Sequence, residues 1–278
     1  MLTADSCMMY NIYMRRNMIR LGPAGSSGLG NIEGLRMVKK LGLKAMEVEF
    51  TYGVRMSVNE AKKVGRLASE LGISLSVHAP YYINLASYEP DKVAASKKRI
   101  LDSCERAHYM SASPVVFHAG FYQGRSSNET YEIIKNEISA LNRAVADKKW
   151  RVGLAPETTG KKSQFGSLDE LMRLSRETGC GICVDFAHLL ARDGSIDYGA
   201  VLGKLKPLKR VHAHFSGIEY TAKGERRHVP TKPKDIRTLL GAAHKSRLEI
   251  TIINESPFPI QDSAKSAKIL GALVRGKR

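Results

Sequence analysis

Imidazoles and carboxylates recur along this chain at wide intervals: His78, His118, Glu157, Asp185 with His188, His214 and Glu255. Nitrogen and carboxylate donors without thiolates suit Zn, Mn or Fe, and a carboxylate can bridge two ions. Seven such groups exceed what one ion needs. Three more chemically able residues, Glu225, Arg226 and His228, follow the His214 segment. Ions a few ångströms apart activate water and neutralise charge on a phosphodiester, the usual reason for a cluster in place of a single ion. Any one of these residues alone means little, because a His or Glu near a strand end is more often a hydrogen-bonded structural group.

Whether such residues can meet depends on the elements that carry them. Each of the seven lies at or just past the end of a short apolar run: Ile73–Pro80, Pro114–Gly120, Val152–Thr158, Gly181–His188, Arg210–Gly217 or Leu248–Ser256. Two further runs, Met18–Gly25 and Ala45–Phe50, precede them, giving eight expected strands. Between the runs, Val58–Leu71, Asp91–Met110, Thr130–Lys148, Leu168–Thr178, Tyr198–Leu205 and Pro233–His244 have apolar residues at three- and four-residue spacing, which predicts helices. Ser57 with Glu60 reads as a capping box, and Ser167 and Pro233 read as further helix starts. Strict alternation implies a parallel sheet with helices outside it. Eight units in one chain of this length predict a single closed (β/α)8 TIM barrel over residues 18–278, whose strand C-termini converge on one mouth. An open doubly wound sheet would carry a Gly-rich phosphate loop. Gly22-Pro-Ala-Gly25-Ser-Ser-Gly28 has the wrong spacing for one and reads as a tight turn, so no nucleotide cofactor is expected.

Composition narrows the partner. The chain is 43% hydrophobic, which supports a core and excludes disorder, while 44 Lys+Arg against 27 Asp+Glu leave a net charge of +17. That imbalance favours a polyanionic partner, with a generally basic proteome as the plain alternative. Charged residues interrupt every apolar segment, so no bilayer span or membrane partner is expected. The opening MLTADSCMMYNIYMRRNM lacks the pattern of a secretory signal, and cytoplasmic residence is expected. Its crowded methionines make residues 1–17 an extension or a misassigned start. Cys180-Gly-Ile-Cys183 has redox or metal spacing, but it runs into a strand and no second pair exists, so both are read as ordinary thiols.

In combination these residues resemble endonuclease IV, the metal-dependent apurinic/apyrimidinic endonucleases of DNA base-excision repair, within the xylose-isomerase-like TIM barrels. The resemblance runs from about Met18 to Ser263. It is carried by His78-Ala-Pro-Tyr81-Tyr-Ile-Asn84-Leu85, Phe117-His118, Glu157-Thr, Asp185-Phe-Ala-His188, His214 and Glu255. It implies zinc, two or three ions, with manganese as an alternative. His78, His118 and Glu157 would hold the first ion, and Glu157 would bridge to a second held by Asp185, His214 and Glu255. His188 and His228 would hold a third. The family pattern Asp-x-His departs here to Arg226-Arg227-His228, with Glu225 one residue early. Either Glu225 replaces the carboxylate through a loop adjustment, or the third ion is weak or absent. The implied reaction is hydrolysis of the phosphodiester 5′ to an abasic site to leave a 3′-hydroxyl, with no side-chain nucleophile and with Glu157 as the essential catalytic group. Double-stranded DNA with abasic sites is the implied partner of a monomer. Tyr81 and Arg55 would enter or stack in the duplex, and Lys223, Arg226 and Arg227 would contact phosphates.

Other basic residues are placed by their strand ends. Arg125, Lys161, Lys162 and Arg192 should face the mouth, Lys97, Lys98 and Arg99 should form a solvated helix face, and the tail Arg275–Arg278 would brush DNA or fray. His108, His212 and His244 read as structural or surface histidines, and His212, which shares the strand parity of His214, is the one of the three expected to matter most. Two other functions compete. A sugar isomerase or epimerase would hold one divalent ion with Glu157, Asp185, His214 and Glu255, leaving His78, His118, His188 and His228 surplus. A non-catalytic DNA-binding repair accessory protein would keep the barrel and has the broken Asp-x-His pattern as its support.

Overall fold

The computed structural model describes residues 18–208 and 210–276, so the expected extension over residues 1–17 and the last two residues of the basic tail lie outside the described residues. The strands are β1 (Ile19–Pro23), β2 (Ala45–Glu49), β3 (Ser74–His78), β4 (Val115–Phe117), β5 (Gly120–Phe121), β6 (Leu154–Pro156), β7 (Gln164–Phe165), β8 (Cys183–Asp185), β9 (Val211–Phe215), β10 (Gly217–Thr221), β11 (Gly224–Val229) and β12 (Ile250–Asn254). Eight of them form the barrel. β2, β3, β4 and β6 pair in parallel in that order, as do β8, β9, β12 and β1. Parallel bridges Ala24–Glu47 and Glu157–Cys183 join the two halves and close the ring. The (β/α)8 barrel expected from the alternation is therefore the fold.

The outer helices form where the apolar spacing places them. Val58–Leu71 and Leu168–Thr178 match their expected bounds, and the other four shift by at most three residues at either end. Ser57–Glu60, Ser126–Glu129 and Ser167–Glu170 each close a reciprocal capping box, which satisfies amide donors that the first turn leaves unpaired. Three helices lie outside the segments read from spacing: Asn31–Lys40, Phe186–Asp193 and Pro259–Val274. Both faces of the barrel strands are covered. Every residue of β9 is buried, with Val211, Ala213 and Phe215 toward the helices and His212 and His214 toward the axis.

Two antiparallel additions were not legible as strands. β5 pairs with β7 above the barrel, and β10 with β11 forms a hairpin over the mouth. The hairpin tip lies against the loop after β6 through the Lys161–Gly224 bridge and a hydrogen bond from Glu225 N to Gly160 O at 3.2 Å. Only glycine fits there: a Cβ on Gly224, whose φ is +101°, would meet Gly160 O at 2.2 Å.

Candidate metal centre

The parallel strands end on one side of the barrel, and their last residues form a ring. His78 and Asp185 end β3 and β8, His214 is the penultimate residue of β9, and His118, Glu157 and Glu255 stand one residue beyond β4, β6 and β12. Glu157, almost fully buried, is at the centre. Its Oε2 lies 3.2 Å from His78 Nε2 and 2.9 Å from His118 Nε2, and its Oε1 lies 3.2 Å from both His188 Nδ1 and His214 Nδ1. His214 Nδ1 also stands 3.2 Å from Glu255 Oε1. Asp185 caps the helix Phe186–Asp193 by accepting from His188 N at 2.7 Å, and that first turn folds the His188 ring back beside it.

Besides Cys183 with His212 and His214 in the layer beneath, three groups of donor atoms among the described residues lie mutually within 4.8 Å: His78 with His118 and Glu157; Glu157 with Asp185, His214 and Glu255; and Asp185 with His188 and His228. They coincide with the three sets implied by the resemblance, with Asp185 shared into the last. The donor sets fit divalent cations of borderline softness. Asp185 Oδ2 is buried without a hydrogen-bond partner, an acceptor that a cation would satisfy. The imidazoles are oriented from behind, as metal-binding histidines usually are. His78 Nδ1 meets Ala79 O at 2.7 Å, His188 Nδ1 meets Thr158 O at 2.9 Å, and His228 Nδ1 meets Ser216 Oγ at 2.6 Å.

Electrostatics reflect this packing. Burial would raise Glu157, but the surrounding imidazoles, His118 and His214 foremost, hold it well below the usual carboxylate range. Burial opposes protonation of His78, yet its hydrogen bond to Glu157 and the charge of Glu49 push it up to about 10. Glu255 is drawn down to about 2 because His214 outweighs its burial, whereas burial prevails at Asp185 and raises it.

Glu225 comes beside the third group, which does not include it. Opposite β10, the ladder runs Ile218–His228, Glu219–Arg227, then Tyr220–Glu225, so Arg226 is an extra residue in a β-bulge. The bulge restores parity and puts Glu225 and His228 on one face of the hairpin. Glu225 Oε2 reaches 3.4 Å from His188 Nε2. The same geometry faces Arg227 away from the cluster, where it makes a two-point ion pair with Glu219 at 2.9 and 3.0 Å. Arg226 and Lys223 are exposed on the hairpin.

The remaining basic and aromatic candidates separate by position. Tyr81 is exposed at the rim, its ring centroid 6.0 Å from that of His78. Arg55 is exposed on the loop after β2 and lines a cavity of about 540 Å³ beside the cluster, sharing Glu49 and Thr51 with it. Lys161 lines the cleft over the donors, about 460 Å³ in volume, and Lys162 is exposed beside it. Arg192 does not face the mouth. It is buried and braces the loop after β6 by donating to Thr159, Lys161 O and Gln164 O. Arg125 is half-buried, bonded to Ala86 O and stacked 3.6 Å from the Tyr88 ring centre. On the outer helix, Lys98 pairs locally with Asp102, but Lys97 bonds Glu137 of the next helix and Arg99 holds Tyr82 O. Cys180 and Cys183 are buried free thiols.

Glu47 and Glu49 were missed, although both lie on β2 and both face the axis. Glu47 accepts from Ser76 Oγ at 2.6 Å and meets His212 Nε2 at 2.9 Å, which gives His212 its place. Glu49 lines the cleft, and burial, opposed by nearby His78, pushes it up to about 8. Two acids at alternate positions in the otherwise apolar Ala45–Phe50 were the available signal.

Comparison with known proteins follows the same lines. An uncharacterized protein of Methanocaldococcus jannaschii is 36% identical over 275 residues, which is 93% of this chain and 99% of that protein. A probable endonuclease 4 of Halorhodospira halophila is 30% identical over 138 residues, so the chain spans only 46% of that relative. Among solved structures, endonuclease IV from Thermus thermophilus superposes with a TM-score of 0.67 at 20% identity over 92% of this chain and 99% of that one. D-psicose 3-epimerase from Clostridium cellulolyticum gives the same TM-score of 0.67 at 13% identity over 92% of this chain and 98% of that one. The xylose isomerase-like TIM barrel model matches residues 35–270, and the chain belongs to that family.

Proposed function

We propose that this chain is a zinc-dependent endonuclease of base-excision repair, hydrolysing the DNA phosphodiester 5′ to an abasic site to leave a 3′-hydroxyl. The observation that carries the reading is the surplus of donors: His78, His118, His188 and His228 join their own groups beyond the four residues that one ion would use. His78, His118 and Glu157 would hold one ion, Glu157, Asp185, His214 and Glu255 a second, and Asp185, Glu225, His188 and His228 a third. Bound there, such ions activate water and neutralise charge on phosphodiester oxygens. Glu157 contributes both oxygens and is the group whose loss would dismantle two sites together. Glu225, with its Oε2 3.4 Å from His188 Nε2, would stand in for the family's aspartate, which weakens the one support for an accessory protein without catalysis.

The open mouth suits a duplex. Exposed Tyr52, Tyr81, Tyr82, Phe121, Tyr220 and Phe258 all follow the C-terminal ends of barrel strands. Aromatic faces beside exposed Arg55, Lys223 and Arg226 can stack on bases while the cations meet phosphates. An abasic nucleotide has no base to unstack, so turning it toward the cluster costs little and supplies selectivity.

A single-ion sugar epimerase is the second reading, favoured by the compact Glu157, Asp185, His214 and Glu255 group and by the fold it shares with D-psicose 3-epimerase. One assay separates them: the purified protein is incubated with a duplex bearing one abasic analogue, with and without chelator, and the strands are resolved. Chelator-sensitive incision on the 5′ side is expected. Intact strands, together with close to one ion per chain, would favour the epimerase.

A further inference from the structure

Directly beneath the candidate metal centre, β2, β3 and β9 put Glu47, Ser76 and His212 beside the apolar Val116 and Ala155, in a layer that barrels of this kind normally fill with branched apolar residues. Strand register sets Glu47 beside Ser76 and Cys183 beside His212, one inward position below Glu49, His78, Asp185 and His214. Glu47 is completely buried. Ser76 Oγ and His212 Nε2 fix its Oε2 at 2.6 and 2.9 Å, and its Oε1 stands 2.8 Å from His214 Nε2, a close ion-pair contact off hydrogen-bond alignment that leaves each atom no other partner among the described residues. The opposite nitrogen of the same ring, His214 Nδ1, points to Glu157 and Glu255.

We propose that Glu47 is a positioning residue of the metal centre: it holds His214 with its proton on Nε2, so that Nδ1 is the nitrogen offered beside Glu157, Asp185 and Glu255. The inference rests on reading those residues as a metal site, and adds the group that decides which nitrogen binds. A carboxylate oxygen this close to a ring nitrogen favours a proton on that nitrogen, and an imidazole whose far N–H faces a carboxylate is held in rotation and is a more basic ligand. Ser76 and His212 pin the other oxygen, so the carboxylate cannot turn away from His214. The arrangement gives a reason for an acid in the interior of an apolar strand, where an unpaired charge would oppose folding.

The layer has one rival occupant. Cys183, His212 and His214 also bring donor atoms within 4.8 Å of one another, and an ion lodged there would use His214 Nε2 itself. The test therefore uses Zn²⁺ and Co²⁺ on the full chain. Zinc affinity is measured ion by ion against a competing chromophoric chelator in the wild type and in Glu47→Gln, and the histidine ¹⁵N spectrum of the zinc-loaded wild type is recorded. Glu47→Gln is expected to weaken one ion by about 10- to 100-fold and leave the others unchanged, and the wild-type spectrum is expected to show His214 protonated at Nε2 with the metal on Nδ1. Equal affinities in the two proteins would overturn the inference, as would a metal on Nε2. A thiolate-to-cobalt absorption band that disappears in Cys183→Ser would also overturn it, by placing an ion in the inner layer. If Glu47→Gln does not fold, the wild-type spectrum still decides. A wild type that takes up neither Zn²⁺ nor Co²⁺ refutes the metal centre itself, whereas a wild type that loads as well as Glu47→Gln refutes only the role of Glu47.

Discussion

Glu157 touches four imidazoles, two through each carboxylate oxygen, and this makes it the residue on which the site depends most. Glu157→Gln keeps the volume but offers one acceptor oxygen and an amide that must face an imidazole nitrogen as a donor. Incision in that variant is expected to fall by more than about 100-fold, the upper end of what even an outer-shell partner costs, with the circular dichroism spectrum retained. Strand incision rates at saturating zinc check this, and wild-type rates would exclude Glu157 from the chemistry. At this scale the ring of donors was legible because six successive barrel strands, β3, β4, β6, β8, β9 and β12, each contribute one at or just past the end and the residue types agree. Glu47 was not. An acid inside an apolar strand is indistinguishable, in one sequence, from a residue on a half-exposed edge, and its three partners come from β3 and β9, 29 to 167 residues away in the chain.

Elements decide how firmly those residues are held. The helix Leu168–Thr178 is tied to its neighbours by Glu170, which accepts from Ser127 Oγ at 2.7 Å, from Tyr122 Oη at 2.7 Å and from the Ser167 cap. Burial would raise Glu170, but these donors, Ser127 and Tyr122 first, override it and lower its pKa below the ordinary 4.5. A carboxylate depressed in the folded state stabilises above its unfolded pKa and loses that contribution as pH falls through the folded value. The melting temperature of the wild type is therefore expected to drop below about pH 4.5 more steeply than that of Glu170→Gln, and parallel melting curves against pH would contradict this. The hairpin β10–β11 supports a second expectation. Gly224→Ala should force the tip away from Gly160 and carry Glu225 from His188, with loss of one ion in metal analysis and little change at the other two. The hairpin escaped sequence reading because Gly217–Val229 is rich in charged residues without regular alternation, and the bulge breaks what period there is. The barrel strands were readable for the converse reason: burial on both faces makes them short, continuous apolar runs.

Across the whole molecule, a charge of +17 sits on a barrel whose mouth gathers most of its buried acids. Bound cations would offset those acids, leaving the basic rim to act on an approaching polyanion. DNA affinity is expected to fall steeply with salt, with a log–log slope of about −0.9 for each phosphate contacted. Lys223→Ala and Arg226→Ala should each make that slope shallower by about one. Arg227→Ala should leave it almost unchanged, because Arg227 is already paired with Glu219. Fluorescence anisotropy with a labelled abasic duplex from low to moderate salt measures all three, and an Arg227 effect equal to that of Arg226 would reverse their assignment. The fold was legible at this scale because alternation and strand count leave few topologies, whereas charge alone named no particular partner.

The single extra residue in β11 also says something about descent. A bulge absorbs an insertion by rotating it out of the ladder, so this loop can lengthen by one residue while its two inward side chains keep their stations. The longer arm of glutamate then spans what an aspartate would from one position closer. Chains carrying Glu-x-x-His on such a hairpin would be passed over by any search for Asp-x-His, and a pattern that allows the slip should gather relatives whose third site looks lost but has only moved along the strand.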